Sequence, residues 1–161
     1  VNYRKVTPDD WQQFKEIRLK GYQTDPQAFG CAVVKDSIGD EVFLRERLTR
    51  TDRFFFIAEE NNIFVSIAGA KKVENGDWHL IAVYTIPEFR GKGISQKVCE
   101  LIVGEIKEKG VELMYLEVNI DQTNAIKQYK NMGFDIVEIE KNKEMADGKL
   151  HDEYFMKKQC K

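Results

Sequence analysis

The stretch that most restricts the fold runs from residue 78 to 118: WHLIAVYTI, then PEFRGKG, then ISQKVCELIVGEIKEKG, then VELMYLEV. A β-type run gives way to a glycine-rich turn. Apolar residues at helical spacing follow (Ile94, Val98, Leu101, Ile102, Ile106), Gly110 stops the helix, and a second β-type run begins at Leu113. Strand, helix and strand in this order place the two strands side by side and parallel, through a right-handed crossover.

The rest of the chain builds around that unit. RFFFIAEE (53–60) and IFVSIAGAKKV (63–73) read as strands joined by Asn61-Asn62, and the Asn75-Gly76 pair signals a hairpin into WHLIAVYTI (78–86). These three form an antiparallel meander. Upstream, Asn2 to Val6 suits a short strand, and Thr7-Pro8-Asp9-Asp10 opens a helix with Trp11, Phe14 and Ile17 on its buried face and Gly21 as its stop. Residues 22–36 show no period and read as a loop. Ser37 to Asp40 opens a second helix carrying Leu44 and Leu48. Downstream, Thr123 to Met132 reads as a helix with Ala125, Ile126 and Tyr129 on one face, then a strand at 134–140, a turn at Asp147-Gly148 and a last strand at 152–158. The expected fold is α/β, mixed: about seven strands, mostly antiparallel, flanked by about four helices.

Composition narrows the function. The 161 residues suit one domain, 1–161, with no linker or repeat. A net charge of -2, from 25 basic and 27 acidic residues, argues against a nucleic-acid partner. The three cysteines are odd in number and widely spaced, and there are only two histidines, so neither a disulfide framework nor a metal site is expected. Free thiols, no signal-like start and no apolar run near about 18 residues suggest a cytoplasmic protein without a membrane partner.

The RGKGIS segment (90–95) joins a strand to a helix start. Helix N-termini present unpaired N–H groups and partial positive charge, and glycines let backbone approach a ligand. The N–H groups from Gly91 to Ser95 suit a pyrophosphate, with Arg90, Lys92 and Lys97 adding charge. Taken alone, the segment suits a plain turn equally well; it is neither a P-loop nor a full GxGxxG.

Pro87-Glu88-Phe89-Arg90-Gly91-Lys92-Gly93-Ile94-Ser95 strongly resembles the acetyl-CoA-binding motif of the GNAT-type N-acetyltransferases: Gln or Arg, two residues, Gly, one residue, then Gly or Ala. Ser95 departs at the last position but is small and keeps its N–H. Downstream, Ala125-Ile126-x-x-Tyr129-x-x-x-Gly133-Phe134 looks like a second segment of that family, with Gln122 where many members carry asparagine, and Asp152-Glu153-Tyr154-Phe155-Met156 is a typical ending. The resemblance covers nearly the whole chain. It implies a sheet that splays between its fourth and fifth strands, with acetyl-CoA as co-substrate in the gap. Its pyrophosphate would meet Gly91, Lys92, Gly93, Ile94, Ser95 and Gln96 beside Arg90. Its pantetheine arm would lie along Tyr84 and Thr85, with Gln122 or Asn124 as a further contact.

The implied reaction is direct attack of an amine on the thioester. Tyr129 stands at the family's tyrosine position, as general acid for the departing thiolate; by periodicity alone it also suits a core aromatic. Glu117, twelve positions earlier, matches the spacing of a base in the branch that acetylates ribosomal protein N-termini. His79, Asp77 or a water chain are alternatives, and Glu117 equally suits a solvated strand charge. Residues 22–40 and 141–151 are expected to build the acceptor site, with Asp25, Asp36 and Asp40 able to attract a cation. The expected acceptor is a small-molecule amine. The alternatives are a protein N-terminus or lysine, or a binding module without turnover. A monomer or homodimer is expected.

Overall fold

The computed structural model describes all of residues 1–161. Its strands are β1 (Asn2–Lys5), β2 (Arg53–Glu60), β3 (Ile63–Lys72), β4 (Trp78–Thr85), β5 (Leu113–Asn119), β6 (Asp135–Glu144) and β7 (Leu150–Gln159). Its helices are α1 (Trp11–Thr24), α2 (Cys31–Ile38), α3 (Glu41–Thr49), α4 (Ile94–Glu108) and α5 (Thr123–Asn131). The strands form one seven-stranded sheet in the order β1-β2-β3-β4-β5-β7-β6. Every pairing is antiparallel except β4 with β5. The expected mixed sheet, meander and parallel pair are all present. No helix is long and apolar enough to cross a membrane.

The sheet carries apolar packing on both faces. On one, α4 buries Ile94, Val98, Cys99, Ile102 and Ile106 against Phe54, Val65, Leu80, Met114 and Leu116, and α5 adds Ile126 and Tyr129. On the other, α1 to α3 bury Phe14, Ile17, Val33 and Leu44 against Phe55, Ile57, Phe64 and Ile67. β3 lies between these layers and is buried without a break from Phe64 to Ala70. A strand covered on both sides has no polar face to show, which is why IFVSIAGA reads as an apolar run rather than an alternation.

Three expectations need correction. Gly21 does not stop the first helix; α1 runs on to Thr24. A Cβ at Gly21 would stand 3.2 Å from the Phe29 ring and 3.5 Å from Tyr84, so the glycine admits those rings rather than ending a helix. The stretch expected as a loop at 22–36 contains most of α2, which makes five helices rather than about four. The missing signal is Asp36, a buried charge where periodicity looks for an apolar residue. Arg18 Nε donates to Asp36 Oδ2 at 2.9 Å and Arg47 Nε forms an ion pair with Oδ1 at 2.9 Å, so one carboxylate ties α1, α2 and α3 together. Finally, β6 and β7 extend to Glu144 and from Leu150, which shortens the turn expected at 141–151.

Replacing Asp36 by alanine strands two guanidiniums, one of them almost fully buried. Breaking such a buried ion pair costs about 3–5 kcal/mol. A urea titration of Asp36→Ala should show that loss, with far-UV circular dichroism confirming a folded start.

Candidate active site

β4 ends at Thr85, a single tight turn spans Pro87–Phe89, and α4 begins at Ile94. Gly91 and Gly93 lie between with φ of +75° and +77°. No atom lies within 4 Å of where a Cβ would stand at either, so backbone conformation and not crowding calls for glycine. The N–H groups from Gly91 to Gln96 donate to no protein acceptor; the first helical bond runs from the Lys97 N–H to the Gly93 carbonyl. A row of free donors at the start of a fifteen-residue helix is an anion cradle.

The side chains around the cradle divide. Ile94 is buried in the core and offers only its N–H. Ser95 Oγ accepts from Gln128 Nε2 at 3.1 Å, which ties the first turn of α4 to α5, and Gln96 Nε2 donates to Glu100. The Lys92 ammonium lies over the Phe89 ring and that of Lys97 over Tyr3. The Arg90 guanidinium turns back from the cradle: it donates to the Thr85 carbonyl at 2.8 Å and pairs with Asp25 at 2.7 Å. Arg90 therefore braces the end of β4 against the end of α1.

β4 and β5 pair only at Trp78 with Met114 and His79 with Tyr115. Beyond these they separate. The cause lies partly in β4, where Ala82 takes φ +59° and the register with β3 slips between Ile67 and Gly69. Such a bulge bends the strand and raises its twist. It also reverses which face later residues meet. Trp78 and Leu80 pack towards α4, but Tyr84 packs with Phe14 and Phe29 on the opposite face, its hydroxyl 2.9 Å from Thr24 Oγ1. Thr85 Oγ1 bonds Ser66 at 2.8 Å.

Tyr129 lies on the α4 face, buried, its ring edge-on to Phe134. Its hydroxyl makes no hydrogen bond to another protein group. Burial, helped by Cys99, holds the phenol well above its ordinary pKa, so it keeps its proton. Burial likewise pushes the Cys99 thiol up to about 12. Gln122 stands half-buried just before α5 without capping it, and Asn124 is exposed on the first turn.

The opposite face of β5, β7 and β6 is charged. Glu117 bonds Lys143, whose ammonium also lies 3.7 Å from Glu140 and 3.9 Å from Glu153. Burial raises the Glu117 carboxyl, but the bonds from Lys143 and Glu140 outweigh it and leave it below its usual range. Burial and then Glu117 hold Glu140 up. Glu153 is pushed up to about 7, by burial first and Glu117 second. His79 lies at the joined end of β4 and β5, between Tyr115 and Phe155, and burial lowers it. No group of three or more His, Cys, Asp or Glu side chains is placed to hold a metal ion.

The three aspartates expected to attract a cation are committed elsewhere: Asp25 to Arg90, Asp36 to the buried arginines, and Asp40 to the Phe43 N–H at the start of α3. Sequence reasoning covered Lys143 only as part of the 141–151 segment expected at the acceptor site, and missed Glu153 and Asn119. Asn119 Nδ2 donates to the Gln27 carbonyl at 3.1 Å, and the Ala146 N–H donates to the Phe29 carbonyl at 2.7 Å. These two bonds draw the α1–α2 connection against the end of β5 and the β6–β7 turn. The only signal was the alternation in HDEYFM, which sets Glu153 and Phe155 on one face.

The sequence model of the Acetyltransferase (GNAT) family matches residues 11–134. The chain belongs to that family. It is 27% identical over 146 residues to an uncharacterized N-acetyltransferase of Methanocaldococcus jannaschii, across 86% of this chain and 62% of the relative. It is 30% identical over 71 residues to the [ribosomal protein bS18]-alanine N-acetyltransferase of Haemophilus ducreyi, across 44% of this chain and 49% of the relative. The match thus spans about half to three fifths of these relatives' length. Among solved structures, yncA of Salmonella typhimurium, determined with its cofactor acetyl-CoA, superposes with a TM-score of 0.82 at 17% identity, across 99% of this chain and 94% of that one.

Because the folded protein holds the Glu153 proton more tightly than the unfolded chain, ionising it opposes folding, and that loss develops as pH rises from about 4.5 to about 7. Glu153→Gln removes the effect. Its stability relative to the parent should climb across this window by up to about 2 kcal/mol after allowance for solvent screening, then level off. Urea unfolding at a series of pH values measures it.

Proposed function

We propose that the chain is an N-acetyltransferase that moves the acetyl group of acetyl-CoA directly onto a primary amine of a small-molecule acceptor. The observation that carries this reading is the cradle of free N–H groups from Gly91 to Gln96 beside the open end of the β4–β5 gap. In this reading the cradle takes the pyrophosphate, and an extended arm enters where β4 and β5 no longer pair and leads to the far face of the sheet. Tyr84, Thr85, Gln122 and Asn124 flank its path.

Tyr129 suits the general acid: it is buried, keeps its proton at neutral pH and has no protein acceptor for it. Glu117 stands on the acceptor face, where its charge holds Lys143 and draws a cationic amine. The two bonds that pull the α1–α2 connection onto β5 and the β6–β7 turn roof that face, which favours a compact acceptor. A protein N-terminus is the second reading, and the relative that acetylates the alanine of bS18 favours it. The charge cluster suits either kind of amine.

Calorimetry with acetyl-CoA tests the cradle. The parent should bind, and Gly93→Asp should lose binding at least about a hundredfold, since it sets a side chain at φ +77° and a negative charge among the phosphate donors. Absence of binding in the parent would overturn the reading. CoA release from a panel of small amines and alanine-starting peptides decides the acceptor class. Tyr129→Phe should lower kcat by about 10²–10⁴ while leaving the acetyl-CoA Kd within a few-fold.

A further inference from the structure

Glu153 is buried, its side chain only 6% exposed, yet its carboxylate forms no hydrogen bond; its one cationic neighbour within 4 Å is the Lys143 ammonium, at 3.9 Å. Nearby, Glu140 Oε1 is fully buried with no donor reaching it. Ionised carboxylates buried without donors are costly, and the arrangement persists only where something offsets it. Lys143 offsets part, but its short bond goes to Glu117. The cluster therefore holds more carboxylate than its own ammonium satisfies, and its unsatisfied oxygens want a second cationic donor.

Position says which donor. Glu153 pairs across the sheet with Asn119, the last residue of β5, at the end where β4 and β5 have parted. It shares its face with Glu117, on the side opposite Tyr129. Resting on the acetyl-transfer reading above, we propose that Glu153 receives the acceptor's ammonium and takes its proton, while Glu117 and Lys143 set its charge. The ammonium passes one proton to the Glu153 carboxylate. The freed lone pair forms the N–C bond to the thioester carbonyl, the C–S bond breaks, and the departing thiolate takes the Tyr129 proton. The second amine proton returns to Tyr129 as the amide forms. Glu153 then releases its proton to solvent, so ammonium and thioester yield amide, thiol and one proton.

The groups that face Glu153 give the proposal its signature. Glu117 on β5 and Glu140 on β6 hold its proton on; Lys143 on β6 and His151 on β7 draw it off. The acidic limb of kcat/KM should therefore follow Glu153, with a midpoint near 7. It should move down in Glu117→Gln and up in Lys143→Met. In Glu153→Gln it should vanish, with kcat reduced about a hundredfold or more and the acetyl-CoA Kd unchanged. A limb that persists in Glu153→Gln, or that Glu117→Gln abolishes, overturns the assignment.

A second measurement needs no turnover. Carboxyl ¹³C NMR of the glutamate-labelled parent should show Glu153 titrating near 7, and 1,4-diaminobutane should lower that midpoint by at least half a unit. An unmoved midpoint overturns the ammonium site even if acetyl-CoA binds. Failure of acetyl-CoA to bind sinks the acetyl-transfer reading separately. Glu153→Gln is close in shape, and its unfolding curve shows that any lost rate is not lost folding.

Discussion

The parting of β4 from β5 is the constraint on which the rest depends. Two strands that pair only at their first residues leave backbone groups unpaired in the middle of a sheet, which a fold tolerates where a ligand or an alternative partner meets them. Here each strand is held from its other side: β4 by β3 across a bulge, β5 by β7 along its whole length. Arg90 secures the free end of β4 through the Thr85 carbonyl and Asp25. The gap is thus built into the pairing of the sheet, and the cradle at the head of α4 opens beside it.

The gap also separates two electrostatic environments. On the α4 face the groups are neutral and dry, so the Tyr129 phenol and the Cys99 thiol both keep their protons. On the far face three carboxylates surround one ammonium; burial and then the charge of Glu117 hold Glu140 and Glu153 above the usual range, while the bond from Lys143 takes Glu117 below it. The α1–α2 connection meets this face through Asn119 and Ala146, and the mutual placement of α1 to α3 rests on Asp36 and its two arginines.

Much of this was legible in the sequence, for identifiable reasons. The parallel pair followed from strand, turn, helix and strand in order. The glycines at 91 and 93 marked a backbone able to approach a ligand just before a helix, and both prove to take the left-handed conformation. α2 was illegible because its docking relies on a charge. The orientation of Tyr84 was illegible as well: a period of two from Trp78 and Leu80 sends it towards α4, and the bulge at Ala82 turns it the other way.

What the sequence determined by itself is local: where backbone must turn, which faces are apolar, and where a helix presents its first N–H groups. These depend on neighbours along the chain. What only the tertiary structure decided is which charges meet. Glu117, Glu140, Lys143 and Glu153 come from three strands, and β7 lies between the other two although it follows both in the chain. Burial and mutual repulsion arise only in that assembled face, so the proton affinity that singles out Glu153 belongs to the fold and not to the residue.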